Sequence, residues 1–238
     1  MRKMIVALGT AAALLTLGSS VAQASTHSGR PDATPACGDN CFELSSLVLG
    51  PHDVQNVYNN GPNGTGGKVG QDVMLKYASN TRPNEDFTGA QVGTLADFCP
   101  NLGGSGLSPT SYVCINYKGD PTYAVYESDW SPFGNESGLC VGIANPGYNG
   151  ENVTMQDCGV SPATLWVGDL KNSTFHHGHL YTPWVNGADP NFSHPLVLTV
   201  DPGTSRPDNQ LKVERLNLLT GGVAPDVQEF TIRFGPVA

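Results

Sequence analysis

One short pattern occurs three times in this sequence, and it restricts the fold more than any other feature. Val73, Leu75 and Tyr77 alternate with Met74 and Lys76; Val153 and Met155 alternate with Thr154 and Gln156; Leu211 and Val213 alternate with Lys212 and Glu214. Side chains on a strand point alternately to opposite faces, so each run predicts a strand that buries one face and wets the other. Upstream of each lies another short apolar segment, Val54 to Val57, Leu139 to Ile143 and Leu196 to Val200, ending in the turn sequences NNGPNGTGG, NPGYNG and DPGTSRPDNQ. Downstream, after a polar loop, an aromatic begins a further segment: Phe87, Trp166 and Phe230. A unit of strand, turn, strand, loop and aromatic cannot bury its own apolar face. Three copies therefore predict one closed assembly with pseudo-threefold order.

The rest of the chain agrees with an all-β reading. No stretch carries the i, i+3, i+4, i+7 apolar stripe of an amphipathic helix. Charged residues make up only 14% of the chain, while 29 Gly and 18 Pro supply many turns, a balance that suits short strands and frequent loops.

The first residues read as an export signal. Arg2 and Lys3 precede an apolar run from Met4 to Leu17, and the small-residue site Ala22-Gln23-Ala24 follows, so residues 1–24 are expected to be removed and the protein secreted to the extracellular space. Residues 25–36 are polar and Pro-containing, a flexible lead into a single domain over 37–238, with repeats near 37–99, 100–167 and 168–238. All six Cys lie beyond the leader, which in an oxidising compartment predicts disulfides rather than metal ligands. Six Cys permit 15 pairings, and position suggests Cys37 with Cys41, Cys99 with Cys114 and Cys140 with Cys158. The formal charge of −9 becomes more negative once Arg2 and Lys3 leave. Such a chain repels phosphate backbones and anionic lipid, which argues against nucleic-acid partners. No second long apolar stretch follows the leader, so membrane insertion is not expected either, and the chain is read as a monomer.

The middle copy, SGLCVGIANPGYNGENVTMQDCGVSPATLWV over residues 137–167, resembles one repeat of the ricin-B type β-trefoil. In that family Gly-x-Cys-Leu-Asp-Val leads through an Asn-Gly turn to a second Cys and then Gln-x-Trp; Gly138, Cys140, Asn149-Gly150, Cys158 and Trp166 fall in the corresponding places. The resemblance implies a β-trefoil-like fold of three diverged repeats with long loop insertions, around residues 100–130 and 168–195. It also implies an intra-repeat disulfide between Cys140 and Cys158. The SGLCVG and NFSHPLVLT segments are similar, besides, to a group of uncharacterised secreted actinobacterial proteins.

Function does not transfer with the framework. Ricin-type sugar sites use an Asp after the Cys-Leu, and the three copies here have Asn56, Gly142 and Thr199. The Gln of Gln-x-Trp is Glu85, Thr164 and Gln228. A ligand site is instead expected in FHHGHLYTPWVNGADPNFSHP, where Tyr181 and Trp184 would offer stacking faces and Asn186, Asp189 and Asn191 hydroxyl partners. His176, His177 and His179 raise a metal reading, but adjacent strand residues point apart, so only His177 and His179 would share a face, and no metal or cofactor is expected.

No catalytic signature is present. Ser105 is followed by Gly106 and Leu107 rather than by Gly-x-Ser-x-Gly spacing, and there is no His-Glu-x-x-His or phosphate-cradling Gly loop ending in Lys. A glycan-cleaving carboxylate pair would be sought among Asp120, Glu127, Asp129 and Glu136. The expectation is a secreted non-catalytic protein that binds carbohydrate, with a protein-binding or protease-inhibiting trefoil and a glycan-cleaving enzyme as the alternatives.

Overall fold

A computed structural model describes residues 40–58, 66–78, 83–159, 161–189, 191, 193–201, 209–219 and 222–234. The export signal, the segment 25–36, Cys37 and most of the first and third turn sequences lie outside the described residues.

The strands fall into three four-part units. The first holds β1 (Phe42–Ser46), β2 (Asp53–Val57), β3 (Val73–Tyr77) and β4 (Phe87–Thr94). After the short helices α1 (Leu95–Phe98) and α2 (Tyr112–Asn116), the second holds β5 (Ala124–Trp130), β6 (Leu139–Gly142), the pair β7 (Glu151–Asn152) and β8 (Thr154–Asp157), and β9 (Trp166–Gly168). A separate hairpin, β10 (Thr174–His176) with β11 (His179–Tyr181), precedes the third unit: β12 (Trp184–Asn186), β13 (Leu196–Val200), β14 (Asn209–Arg215) and β15 (Phe230–Phe234).

The first and last strands of the units close into a ring. Ladders join β15 to β1, β4 to β5, β5 to β9 and β9 to β12. Single bridges complete the circuit, Cys41 with Thr88 between the ends of β1 and β4, and Thr182 with Phe230 between β12's approach and β15. The middle strands form three hairpins, β2–β3, β6–β8 and β13–β14. These hairpins meet one another at Asn209–Leu75, Lys212–Asn152 and Asp72–Thr154. A six-strand barrel capped by a triplet of hairpins is the β-trefoil arrangement, and this all-β, three-repeat fold is the one expected.

Alternation explains the burial. Val73, Leu75, Val153, Met155, Leu211 and Val213 are buried in one cluster with Phe87, Trp166 and Phe230, the three aromatics of the repeated pattern. Tyr77 departs from its run: it is exposed and lies beside His52, ring centroids 5.9 Å apart. The indole N–H groups of Trp130 and Trp166 donate to Pro83 O at 2.8 Å and Val141 O at 2.9 Å, so these large rings are buried without orphaning a donor.

A second cluster lies on the outside of the barrel. Val125, Val167, Val185 and Val197 belong to strands whose neighbouring residues Tyr126, Trp166, Trp184 and Leu196 face the first cluster. Leu95, Phe98, Leu107, Val113 and Tyr117 of the segment between β4 and β5 join those valines in this cluster. The Cys99–Cys114 disulfide closes this segment, as position suggested. The sequence places an insertion near 100–130; the structure places it between Thr94 and Ala124 as a packed second layer. Coverage on both faces accounts for the continuous apolar run of β13, in which every residue is buried.

Phe87, fully buried at the head of β4, tests the repeated-aromatic argument. Phe87→Ala is expected to lower stability by about 3–5 kcal/mol in denaturant unfolding with disulfides intact. A loss below ~1 kcal/mol would mean that the recurring aromatic is not a core element.

Candidate functional site

The positions of the ricin-type sugar site are brought together as pairs, and they are structural. Asn56 Nδ2 donates to Glu85 Oε1 at 3.2 Å, and Gln228 Nε2 donates to Thr199 Oγ1 at 3.3 Å and to Arg215 O at 3.1 Å. Asn56, Thr199 and Gln228 are all buried. In the second unit a Cβ on Gly142 would stand 2.7 Å from Ala163 O, leaving no room for a side chain, and Thr164 donates its hydroxyl to Glu127. In none of the three units does the position of the family's Asp hold a carboxylate.

The ring-and-amide segment is largely built into the barrel. Tyr181 and Trp184 are only 5% and 6% exposed, and Trp184 begins β12 rather than lying in an insertion. Asn186 is buried, donating to Ala163 O at 3.0 Å and accepting from Ala188 N at 2.9 Å. Asp189, also buried, accepts from Asn191 N at 3.0 Å and Leu196 N at 2.9 Å and pairs with Arg215. Asn191 is exposed, but its Oδ1 accepts from Ser193 N and His194 N at 2.9 and 3.2 Å and shapes the turn. Tyr181, Asn186 and Asp189 are thus consumed by the fold, Asn191 stays at the surface as a turn-former, and Trp184 is buried at the start of a barrel strand.

The three histidines stand on the β10–β11 hairpin. His176 and His179 are paired across it, and His177 occupies the turn at φ 47°, followed by Gly178 at φ 84°. Strand alternation therefore does not place His177 and His179 on one face. Among the described residues, the group of three that gathers ligand-type atoms within 4.8 Å is Asp129, Cys140 and Cys158. Both sulfurs there belong to the Cys140–Cys158 disulfide, the pairing that the family resemblance implies. Cys41 is also disulfide-bonded, and Cys37 lies outside the described residues.

The carboxylates considered for hydrolysis do not converge on a cleft. Asp120 is exposed and accepts from Thr122 Oγ1 at 2.8 Å, and Glu136 is exposed. Glu127 is buried against Thr164 and lines a void of about 20 Å³, with space on the order of a single water. Asp129 Oδ1 lies 2.7 Å from Cys140 Sγ. The disulfide sulfurs carry no proton, so only a protonated Asp129 could donate across that contact. Burial first, then the charges of Glu127 and Glu136, push Asp129 from 3.8 up to about 6.

Beyond Trp184, residues that sequence reasoning missed line a wide groove. A groove of about 610 Å³ lies at the barrel mouth beside the β10–β11 hairpin. Tyr123, Tyr126, Trp184, Phe230 and Phe234 line it from the barrel, and Phe175, His179 and Leu180 from the hairpin. Phe175 and Phe234 are 74% and 65% exposed, and Leu170 and Leu180 are exposed beside them. Among the described residues no Asp, Glu, Lys or Arg lines the groove. Trp184 lies in its lining with Tyr126 edge-on at 5.7 Å, and the Trp184 Nε1 donor has no partner. The hairpin's base is anchored through Asp169, which accepts from Tyr112 at 2.8 Å, from Tyr117, and from Asn172 at 2.6 Å. Burial, followed by the charge of Asp169, raises the Tyr112 pKa; burial, followed by its hydrogen bond to Asp169, raises that of Tyr117, so both phenols stay donors. Of the residues expected to meet a ligand, Trp184 does line this groove; Phe175, His179 and Leu180 come from the same ring-rich segment, and Tyr123, Tyr126, Phe230 and Phe234 carried no ligand-site signal in the sequence.

No family model matches the chain, and no curated protein matches it. Among solved structures it is similar to the designed three-fold symmetric protein ThreeFoil, at 13% identity over 80% of this chain and 96% of that one, TM-score 0.49. A mosquitocidal holotoxin is similar at 12% identity over 81% of this chain and 17% of the toxin, TM-score 0.46. The SDF2-like protein from Arabidopsis thaliana follows at 10% identity over 82% and 94%, TM-score 0.40. These values are too low to carry function, and they do not bear on the secreted actinobacterial group. The trefoil assignment rests on the chain's own strand pairing.

Asp129 yields a signed pH test. Its folded state holds the proton more tightly than the unfolded chain, so its stabilising contribution is present below about pH 4 and lost as pH rises through about 6. Asp129→Asn is therefore expected to raise the melting temperature at pH 8 and to leave it nearly unchanged at pH 4. A lower melting temperature at pH 8 would overturn this reading of the carboxylate.

Proposed function

We propose that this chain is an exported, non-catalytic binding protein whose ligand site is the groove at the barrel mouth, and that its ligand is uncharged. The observation that carries this is the groove itself. Its volume of about 610 Å³ falls within the span of ligand sites, its walls are aromatic, and no charged side chain of Asp, Glu, Lys or Arg lines it, although the chain as a whole carries −9. Export is supported by the oxidised pairs Cys99–Cys114 and Cys140–Cys158 and by the sequence of residues 1–24. Among the described residues no helix is long and apolar enough to cross a membrane.

The non-catalytic reading is supported by where the acids are. Hydrolysis of a glycan needs two carboxyl groups across a substrate-sized opening. Glu127 and Asp129 are instead engaged by Thr164 and set against a disulfide, and neither lines the groove.

Carbohydrate is one uncharged ligand of this kind. Its stacking platform would be Phe175 and Phe234, whose rings are exposed, in place of Tyr181 and Trp184, and His179 would supply a hydroxyl partner.

A neutral solvent-sensitive dye tests the groove. Dye emission is expected to rise with the wild-type protein and to fall back with Phe175→Asp, a change on an exposed strand that leaves the core intact. Unchanged emission with the wild type would count against a ligand site here. A neutral-glycan array separates the ligand classes: binding lost in Phe175→Ala assigns a sugar, and a blank array with dye binding retained assigns another uncharged ligand.

A further inference from the structure

The groove lies where a β-ladder starts and stops. Thr182 N–H donates to Phe230 O at 2.9 Å, and Phe230 N–H donates to Thr182 O at 3.1 Å. Beyond this bridge no ladder joins β11 to β15, and β10–β11 stands as a sheet of its own.

The alternation of backbone direction says which groups are left over. In antiparallel pairing a residue turns its N–H and C=O to one side, and the next residue turns them to the other. Phe230 faces Thr182, so Thr231 faces its β1 partner Ser45, and Ile232 faces the groove. Across the gap, the two-residue turn His177-Gly178 makes His176 and His179 the hydrogen-bonded pair of the hairpin. Phe175 and Leu180 are then the non-bonded pair, and Leu180 turns its N–H and C=O away from β10, toward Ile232. Two strand edges thus face one opening, with Leu180 on one side and Ile232 on the other, and no backbone pairing joins them among the described residues.

Natural sheets blunt such edges with charge, proline or a covering element. Here the charged residue of β15, Arg233, pairs in register with Glu43 on the β1 side and reaches Pro51 O, away from the groove. The groove lining is uncharged, and Phe175, Leu180 and Phe234 flank it exposed. Among the described residues the lining holds no Asp, Glu, Lys or Arg to pair a charge on an occupant, so burying one there would leave it without a counter-ion, and the edges favour an occupant that can pair its own backbone.

We propose that the groove receives an extended, uncharged polypeptide strand of a partner protein, which adds to β15 at Ile232 and lays its alternate apolar side chains against Phe175, Leu180 and Phe234. Main-chain hydrogen bonds supply the affinity in this mode, and the apolar flanks select the side chains. Edge pairing distinguishes this ligand from a sugar or a small apolar molecule, neither of which repeats donors and acceptors at the strand spacing. The inference rests on the groove being the ligand site.

The probe is a capped, uncharged peptide of alternating valine and threonine, compared with the same peptide N-methylated at every second residue. Methylation removes the donors of one edge and leaves this protein untouched, so folding of a variant does not enter. The expected result is binding of the parent peptide, weakened about ten-fold or more by methylation, with slowed amide exchange at Ile232 in the bound state. Equal binding of both peptides, or no peptide binding while the neutral dye still binds, overturns the strand proposal and leaves the groove reading standing. Loss of both peptide and dye binding overturns both.

Discussion

Each four-strand unit of this protein has an apolar face that it cannot cover alone, and closing three such faces on one another is what the rest of the structure depends on. Val73 and Leu75, Val153 and Met155, and Leu211 and Val213 meet in a single cluster, floored by Phe87, Trp166 and Phe230. A hairpin by itself is marginal in water, and three with a shared apolar centre are not. The ring of β1, β4, β5, β9, β12 and β15 fixes the distance at which these faces meet. At three of its joints, Cys41–Thr88, Tyr126–Trp166 and Thr182–Phe230, closure comes down to one residue pair.

What could be read from the sequence was what depends on local periodicity. The alternating runs, the three aromatics and the Cys140–Cys158 pairing all sit inside units whose geometry repeats, and the structure returns them in equivalent places. The ring-and-amide segment was not legible in the same way. Trp184, Val185 and Asn186 make a strand of only three residues, too short to show a period, and its burial comes from partners distant in sequence, Val125 and Leu95 among them. Tyr77 shows the opposite failure: its alternation was regular, but the strand end it occupies reaches past the core. The groove was hidden because its walls come from residues 123–126, 168–182 and 230–234, which only the fold brings together.

At the positions that the ricin-type resemblance assigns to sugar contact, the side chains serve the fold. Where the resemblance calls for a carboxylate facing a ligand, Asn56 is tied to Glu85 and Thr199 to Gln228, and at Gly142 the backbone of Ala163 takes the space. Asn56, Thr199 and Gln228 are buried and Glu85 is half-buried, so a carboxylate introduced at Asn56 or Thr199 would break a bond inside the fold before it could meet a ligand.

The two inserted segments give the chain a handedness of use that its repeats lack. One covers the outer valines of β5, β9 and β12, and the other, the β10–β11 hairpin, stands over the barrel mouth at one of three equivalent junctions. A trefoil that repeats its site can hold three ligands and gather dispersed ones into a lattice through avidity. With the proposed groove as its site, one copy of this chain offers a single place for a ligand, because among the described residues the hairpin stands at one junction and not at the other two.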